Sequence, residues 1–232
     1  MMSKSLQEKF YSDSHFPTDI SPRISFHSLN SGLEIVIETE SLTVRSYRDE
    51  DFKKCINLYG DPKLMKYFDY GYPLNSKELE ALIRERSLRF RQARKPLGLF
   101  SVFNKDSGVF CGQFDLLPLG EAGVAEIGCI LLKEYQNKGI CKRICKIFLL
   151  EYIPMINQMN KIFVSEEIPI RKVIGTCHPK NYPSKRTLES LGMVCFQKSQ
   201  RFNQSRLWYT YVVPEYAENA RKRIPHASKS FC

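Results

Sequence analysis

Glu134-Tyr135-Gln136-Asn137-Lys138-Gly139-Ile140-Cys141-Lys142-Arg143 is a polar loop with one glycine. It follows an apolar run from Val124 to Leu132 and leads into a helix-like stretch from Ile140 to Tyr152 that Pro154 is expected to stop. A helix that starts in such a loop offers unpaired N–H groups and the positive end of its dipole, which suits a phosphate. Gly139 lets a ligand approach the backbone closely, and Lys138, Lys142 and Arg143 surround it with positive charge. The plainer reading is a strand-to-helix turn that uses glycine for its conformation. Either way the stretch predicts a strand–loop–helix unit, with anion binding as its candidate chemistry.

Outward from this unit the chain alternates irregularly. Downstream, Val173 to Cys177 reads as a strand, Pro183 to Leu191 as a helix ended by Gly192, and Val194 to Gln197 and Leu207 to Val213 as strands. Upstream, Leu33, Ile35 and Ile37 alternate with polar neighbours, and Leu42, Val44 and Ser46 continue the pattern. Asp49-Glu50-Asp51 supplies the acids that open a helix through Tyr59. Ser76 is placed to cap a second helix over Lys77 to Arg94, with Leu79, Leu82, Ile83 and Phe90 inward. Leu99 to Phe103 and Val109 to Leu117 form a hairpin around Lys105-Asp106-Ser107-Gly108. This order is a mixed α/β layout and departs from the regular alternation of a doubly wound sheet. Residues 1–33, rich in Ser, Pro and Asp, read as an N-terminal extension, 34–214 as the folded domain, and 215–232 as a basic tail with Arg221, Lys222 and Arg223.

Composition narrows the class. The chain has 232 residues, 43% of them hydrophobic and 26% charged, enough for one domain with a full core. No apolar run approaches the ~20 residues that span a bilayer. Met1 to Phe10 carries Lys4, Glu8 and Lys9 and has no apolar secretory core, so a cytoplasmic location is expected. Eight cysteines form no C-x-x-C and no zinc-ligand spacing, so a reducing compartment and no metal are expected. The net charge of +10 favours anionic partners: nucleic acid, acidic proteins or a phosphate-bearing cofactor. Arg84, Arg86, Arg89, Arg91 and Arg94 on the second helix read as a solvated face, with a binding patch as the alternative.

Four segments in order carry a resemblance. Gln136-x-x-Gly139-x-Cys141 resembles the acetyl-CoA motif of the GNAT superfamily, Gln/Arg-x-x-Gly-x-Gly/Ala, with Cys141 in the last small position. Asn181-Tyr182-Pro183-Ser184-Lys185-Arg186-Thr187-Leu188-Glu189-Ser190-Leu191-Gly192-Met193 is similar to the Asn-x-x-Ser-x-x-x-Leu-Glu-Lys-Leu-Gly-Phe signature of the ribosomal-protein alanine acetyltransferase branch. Ile37-Glu38-Thr39-Glu40-Ser41-Leu42-Thr43-Val44-Arg45 resembles that branch's first strand, with Ser41 where Arg is usual, and Ala125-Glu126-Ile127-Gly128 resembles its central strand. The resemblance implies an α/β (α+β) GNAT fold in three αβα layers. Its sheet would be twisted and mostly antiparallel, of about seven strands flanked by about four helices, with splayed central strands that hold acyl-CoA. It implies acetyl-CoA as cofactor and an amine acceptor, either a protein N-terminus or a small molecule. By resemblance, the amides of Gln136, Asn137, Lys138, Gly139, Ile140, Cys141, Lys142 and Arg143 hold the pyrophosphate. Ile130, Leu131, Leu132, Asn181 and Ser184 would then lie along the pantetheine arm.

Two residues are candidate catalysts. Glu126 is a lone carboxylate in an apolar strand, costly to bury without a partner. The resemblance makes it the base that deprotonates the amine, while the plain alternative is an ion pair that orders the sheet. Ser184 is placed by resemblance near the thioester sulfur, or else caps its helix. Many GNAT enzymes carry a Tyr at the position held here by Leu188, so that acid is missing. A covalent route through Cys129 or Cys141 lacks a neighbouring His in sequence, and His178 is a spare base or a loop residue. Direct attack in a ternary complex is therefore expected. The rival from another class is an inactive GNAT scaffold that binds RNA or the ribosome, or senses acetyl-CoA.

Overall fold

The computed structural model describes residues 22–162 and 168–217. Among these, β1 (Arg23–Leu29), β2 (Gly32–Glu38), β3 (Leu42–Ser46), β4 (Gly98–Asn104), β5 (Phe110–Pro118), β6 (Val124–Leu131), β7 (Lys172–Cys177), β8 (Val194–Arg201) and β9 (Gln204–Val212) join in one sheet. The order is β1-β2-β3-β4-β5-β6-β7-β9-β8. Every neighbouring pair is antiparallel except β6 and β7. Those two pair in parallel from Val124↔Lys172 to Ile127↔Gly175 and then part, so Gly128 to Leu131 of β6 face a gap. This is the splayed arrangement of the GNAT fold.

Five helical segments matter for the site: α1 (Phe52–Tyr59), α2 (Pro62–Met65), α3 (76–92), α4 (140–162) and α5 (Tyr182–Ser190). One face of the sheet packs Ile35, Val44, Phe114 and Ile127 against Ile144, Phe148 and Tyr152 of α4 and Leu188 of α5. The other face packs Leu99, Phe110 and Ile130 against Leu58 of α1 and Leu79 and Leu82 of α3. Two apolar faces with helices on each give the three layers.

The sheet has more strands than expected. β1 lies within the stretch that reads as an extension, where Ser25, His27 and Ser28 mask the period. It is an edge strand, and only Ile24 and Phe26 pack on the core, Phe26 stacking at 6.2 Å on Tyr152. α4 runs past Pro154, contrary to the expected stop. Proline lacks an N–H and crowds the carbonyl four residues back. A π-helical turn over Phe148–Tyr152, immediately before Ile153 and Pro154, opens the ladder there and lets the helix continue. α3 carries a similar wide turn over Arg84–Leu88.

A buried polar knot ties β3 to the start of α1. Arg45 grips Asp51 with Nη1–Oδ2 at 2.7 Å and Nη2–Oδ1 at 2.9 Å, and Ser101 Oγ donates to Asp51 Oδ2 at 2.9 Å. Burial pushes the Asp51 carboxyl up, but the Arg45 hydrogen bonds and charge outweigh it, and its pKa lies below the ordinary value.

Candidate functional site

A cleft of about 910 Å³ opens where β6 and β7 part. One wall is the loop and first turn of α4. Gly139 sits there at φ +74°, in the left-handed region, and a Cβ at that position would meet nothing within 4 Å. Asn137 is also left-handed at φ +58°, so the loop folds back on itself. Gln136 Nε2 donates to Leu131 O at 2.9 Å and pins the loop to the end of β6. The first backbone bond of α4 runs from Arg143 N to Gly139 O at 2.9 Å. The N–H groups of Ile140, Cys141 and Lys142 therefore precede the helix ladder and remain available to an anion. The small side chain of Cys141 lines the cleft without closing it.

Of the expected cofactor residues, Ile130, Leu131, Gln136, Asn137, Gly139, Ile140, Cys141, Lys142, Asn181 and Ser184 line this one cleft. The structure does not bring Leu132, Lys138 and Arg143 onto its wall. Leu132 packs on the α1–α3 side of the sheet and donates its N–H to Cys111 O at 2.9 Å, so it points away. Lys138 lies over the Tyr135 ring at 5.6 Å, and Arg143 bonds Ser41 Oγ.

Asn181 caps α5, its Oδ1 accepting from Ser184 N at 3.3 Å. The cap is thus Asn181, and Ser184 stands in the first turn beyond it. The Ser184 hydroxyl hydrogen-bonds the thiol of Cys177 at the end of β7, whose pKa burial pushes up to about 11. Such a thiol is a poor nucleophile at neutral pH. Hydrogen bonds with Cys141, and then burial, push the Cys129 and Cys145 thiols up, and the same bonds pull the Cys141 thiol well below its ordinary range. His178 stacks on Tyr67 at 4.7 Å and its Nδ1 accepts from Lys180 N at 3.0 Å, which makes it a loop residue.

The opposite wall carries charge. Glu126 is gripped by Arg201 of β8, with Nη1–Oε1 at 2.6 Å and Nη2–Oε2 at 2.8 Å, and Thr176 Oγ1 donates to Oε1 at 3.4 Å. Arg201 also lies 4.6 Å over Phe202 and 5.3 Å over Trp208. The ion pair that the sequence offers as one of two roles for Glu126 is therefore formed.

Sequence reasoning missed most of this wall, Asp69, Arg86, Asp115, Arg201 and Arg206 among it. Arg86 bridges two carboxylates, Asp69 Oδ2 at 2.8 Å and Asp115 Oδ2 at 3.2 Å. Asp115 is 6% exposed. Burial raises its pKa to about 7, the Arg86 charge opposes that rise, and Asp69 and Glu126 add to it. Asp115 gave the same signal as Glu126, a lone acid in an apolar strand. The arginine-rich helix is a solvated face in part: Arg84, Arg89 and Arg94 are exposed, Arg86 enters the cleft, and Arg91 and Arg94 bond Ser31 and Ser28 beside β1 and β2. Arg206 of β9 donates to Tyr67 O at 2.9 Å and Asp69 O at 2.7 Å, fixing the α2–α3 loop over the cleft. Tyr70 of that loop meets Phe202 of the β8–β9 turn at 4.9 Å.

The described residues hold no group of three or more His, Cys, Asp or Glu able to bind a metal ion. Nor, among them, is any helix long and apolar enough to cross a membrane.

Comparison with known proteins agrees with the geometry. A curated relative, an uncharacterized N-acetyltransferase, YnaD, of Bacillus subtilis (strain 168), is 26% identical over 157 residues, 68% of this chain and 81% of that one. Among solved structures, spermidine N-acetyltransferase from Vibrio cholerae, in complex with CoA and spermine, matches with a TM-score of 0.58 at 18% identity, over 76% of this chain and 98% of that one. RimL, a ribosomal L7/L12 α-N-protein acetyltransferase, matches with a TM-score of 0.59 at 12% identity, over 82% of this chain and 100% of that one. The model of the acetyltransferase (GNAT) domain matches residues 41–194, which include the parted strands, the Gly139 loop and α5, and the chain belongs to the GNAT acetyltransferase family.

Proposed function

We propose that this chain transfers an acetyl group from acetyl-CoA to a primary amine by direct attack in a ternary complex. The observation that carries the reading is Gly139: left-handed, open on its side-chain face, and seated at the N-terminus of α4 beside the gap between β6 and β7. A pyrophosphate fits an amide cradle of this kind. The amides of Gly139, Ile140, Cys141 and Lys142 would hold it, and Gln136 would keep the loop in place through Leu131. The unpaired edge of β6 from Gly128 to Leu131 would bond the extended pantetheine arm as an added strand, with Asn181 on the far side. Lys138 and Arg143, which lie off the cleft wall, contribute charge at longer range.

When bound, acetyl-CoA supplies an activated acyl group on a good leaving group. Beyond Ile127 a backbone N–H of β6 is placed to stabilise the oxyanion. Ser184 turns its hydroxyl from Cys177 to the leaving sulfur. A carboxylate beside β6 receives the amine proton. The raised thiol of Cys129 speaks against an acyl-enzyme there, and Cys141, whose thiol is pulled below its ordinary range by hydrogen bonds with Cys129 and Cys145, has no neighbouring His in sequence to serve as its base. A cytoplasmic location suits a chain that draws on acetyl-CoA.

The acceptor is a small polyamine or a protein N-terminus, the two kinds named for the spermidine and ribosomal-protein acetyltransferases of the same fold. The test is transfer of labelled acetyl from acetyl-CoA to spermine and to an alanine-led peptide. Label on either supports the reading. Label on neither, with no CoA released, would contradict it.

A further inference from the structure

We propose that Asp115, and not Glu126, accepts the proton of the attacking amine. The proposal rests on the acetyl-transfer reading above and names the base for it. Asp115 lies on β5 in register with Gly128, the first β6 residue beyond the last β6–β7 pair, Ile127↔Gly175. A Cβ at Gly128 would fall 2.4 Å from Asp115 Oδ1, so the carboxyl lies directly over the backbone where the strands part. Asp115 lines the same cleft as Ser184 and Gly139.

The two carboxylates differ in what already holds them. Glu126 has both oxygens in a bidentate pair with Arg201 and a further bond from Thr176. Taking a proton would break a charge-assisted pair and release the β8–β9 turn. Asp115 has one ion pair, through Oδ2 to Arg86 at 3.2 Å, and a hydrogen bond from the backbone N–H of Gly128, towards which its Oδ1 is turned. Charged or titratable groups around Asp115 come from several elements, among them Cys129 of β6. Arg86 comes from α3, Asp69 from the α2–α3 loop, Glu126 from β6, and Tyr59 from α1. Cys145 of α4 acts on it from the far face of the sheet. Burial leads and sets its pKa near 7, against the pull of Arg86. Above that pH the group is a carboxylate able to accept a proton, and its apolar surroundings then favour the neutral acid.

The step balances as follows. The amine nitrogen bonds to the acetyl carbon and its N–H proton passes to Asp115. The C–S bond breaks with its electron pair on sulfur. The thiolate takes the proton back from Asp115, or takes one from solvent while Asp115 releases its own to solvent; either way the carboxylate is restored. Glu126 is a positioning residue that holds Arg201 and the β8–β9 turn over the acceptor.

The test compares Asp115→Asn, Arg86→Gln and Glu126→Gln in the full chain, with acetyl-CoA titration of each reporting an intact cleft. Asp115→Asn should lower kcat about 10²-fold or more, lose the acidic limb of the pH profile and keep its acetyl-CoA affinity. Arg86→Gln should move that limb to higher pH, since the cation holds the Asp115 pKa down. Glu126→Gln should raise the acceptor KM more than it lowers kcat. Wild-type kcat in Asp115→Asn, or an acidic limb lost only in Glu126→Gln, would overturn the assignment. Infrared titration without acceptor reads the group itself. A protonated-carboxyl band should fade through neutral pH in wild type and Glu126→Gln and be absent from Asp115→Asn. A band that survives in Asp115→Asn overturns the proposal whatever the turnover. The expected band with no acetyl transfer by wild type would instead overturn the acetyltransferase reading, and the base with it.

Discussion

Gly128 has no side chain because Asp115 occupies its place. A methyl there would lie 2.4 Å from Oδ1, closer than real Cβ contacts come, so the carboxyl must swing away from the strand gap. Gly128→Ala is accordingly predicted to fold, to bind acetyl-CoA, and to lose turnover about as far as Asp115→Asn does, which steady-state kinetics would show. Asp51 makes a contrasting case, a buried acid used for stability. Its folded pKa lies below the ordinary 3.8, so its contribution is present above that pH and fades as pH falls through the lowered folded value. Asp51→Ala leaves Arg45 buried without its partner and should cost about 3–5 kcal/mol at neutral pH, measured by urea unfolding. In sequence Asp51 is one of three helix-opening acids and Asp115 a lone acid in an apolar strand, and neither pattern shows its buried partner. What separates them is the neighbourhood: Arg45 and Ser101 donate three side-chain bonds to Asp51, while Arg86 gives Asp115 one.

Among the elements, the strand–loop–helix unit around Gly139 was legible because its signals are local. A glycine, a polar loop and an amphipathic start fall within ten residues, and the proposed binding uses the backbone, which needs no distant side chain. The acceptor wall was not legible. Asp69, Arg86, Asp115, Glu126 and Arg201 come from five elements, and only the sheet order brings them together. Pro154 misled because the compensating turn over Phe148–Tyr152 has no sequence signature of its own. β1 was hidden because an edge strand buries little and tolerates polar residues on both faces. At this scale the β8–β9 turn is held to the cleft by Arg201 on Glu126 and by Phe202 on Tyr70. Arg201→Met, which keeps the apolar stem and removes the grip, should raise the acceptor KM severalfold and leave acetyl-CoA affinity unchanged in calorimetry.

For the molecule as a whole, the net charge of +10 left nucleic acid open as a partner. The ion pairs of Arg45, Arg86 and Arg201 with carboxylates leave that excess unchanged, and Arg206, which holds backbone carbonyls, places one positive charge inside. Ordered resemblance across four segments carried the fold further than periodicity did, since it linked strands that the pattern alone could not pair. A ligand that binds only the folded state stabilises it by mass action, by about 2.7 kcal/mol at a hundredfold excess over Kd. Thermal unfolding with saturating acetyl-CoA should therefore show a raised Tm.

The most direct test of the central claim is calorimetric titration of acetyl-CoA into wild type and Gly139→Glu, with Gly139→Gln as the neutral control for the left-handed backbone. Wild type should bind saturably, Gly139→Gln more weakly, and Gly139→Glu not measurably, since its carboxylate stands where the pyrophosphate belongs. No binding by wild type, or equal binding by all three, would contradict the account.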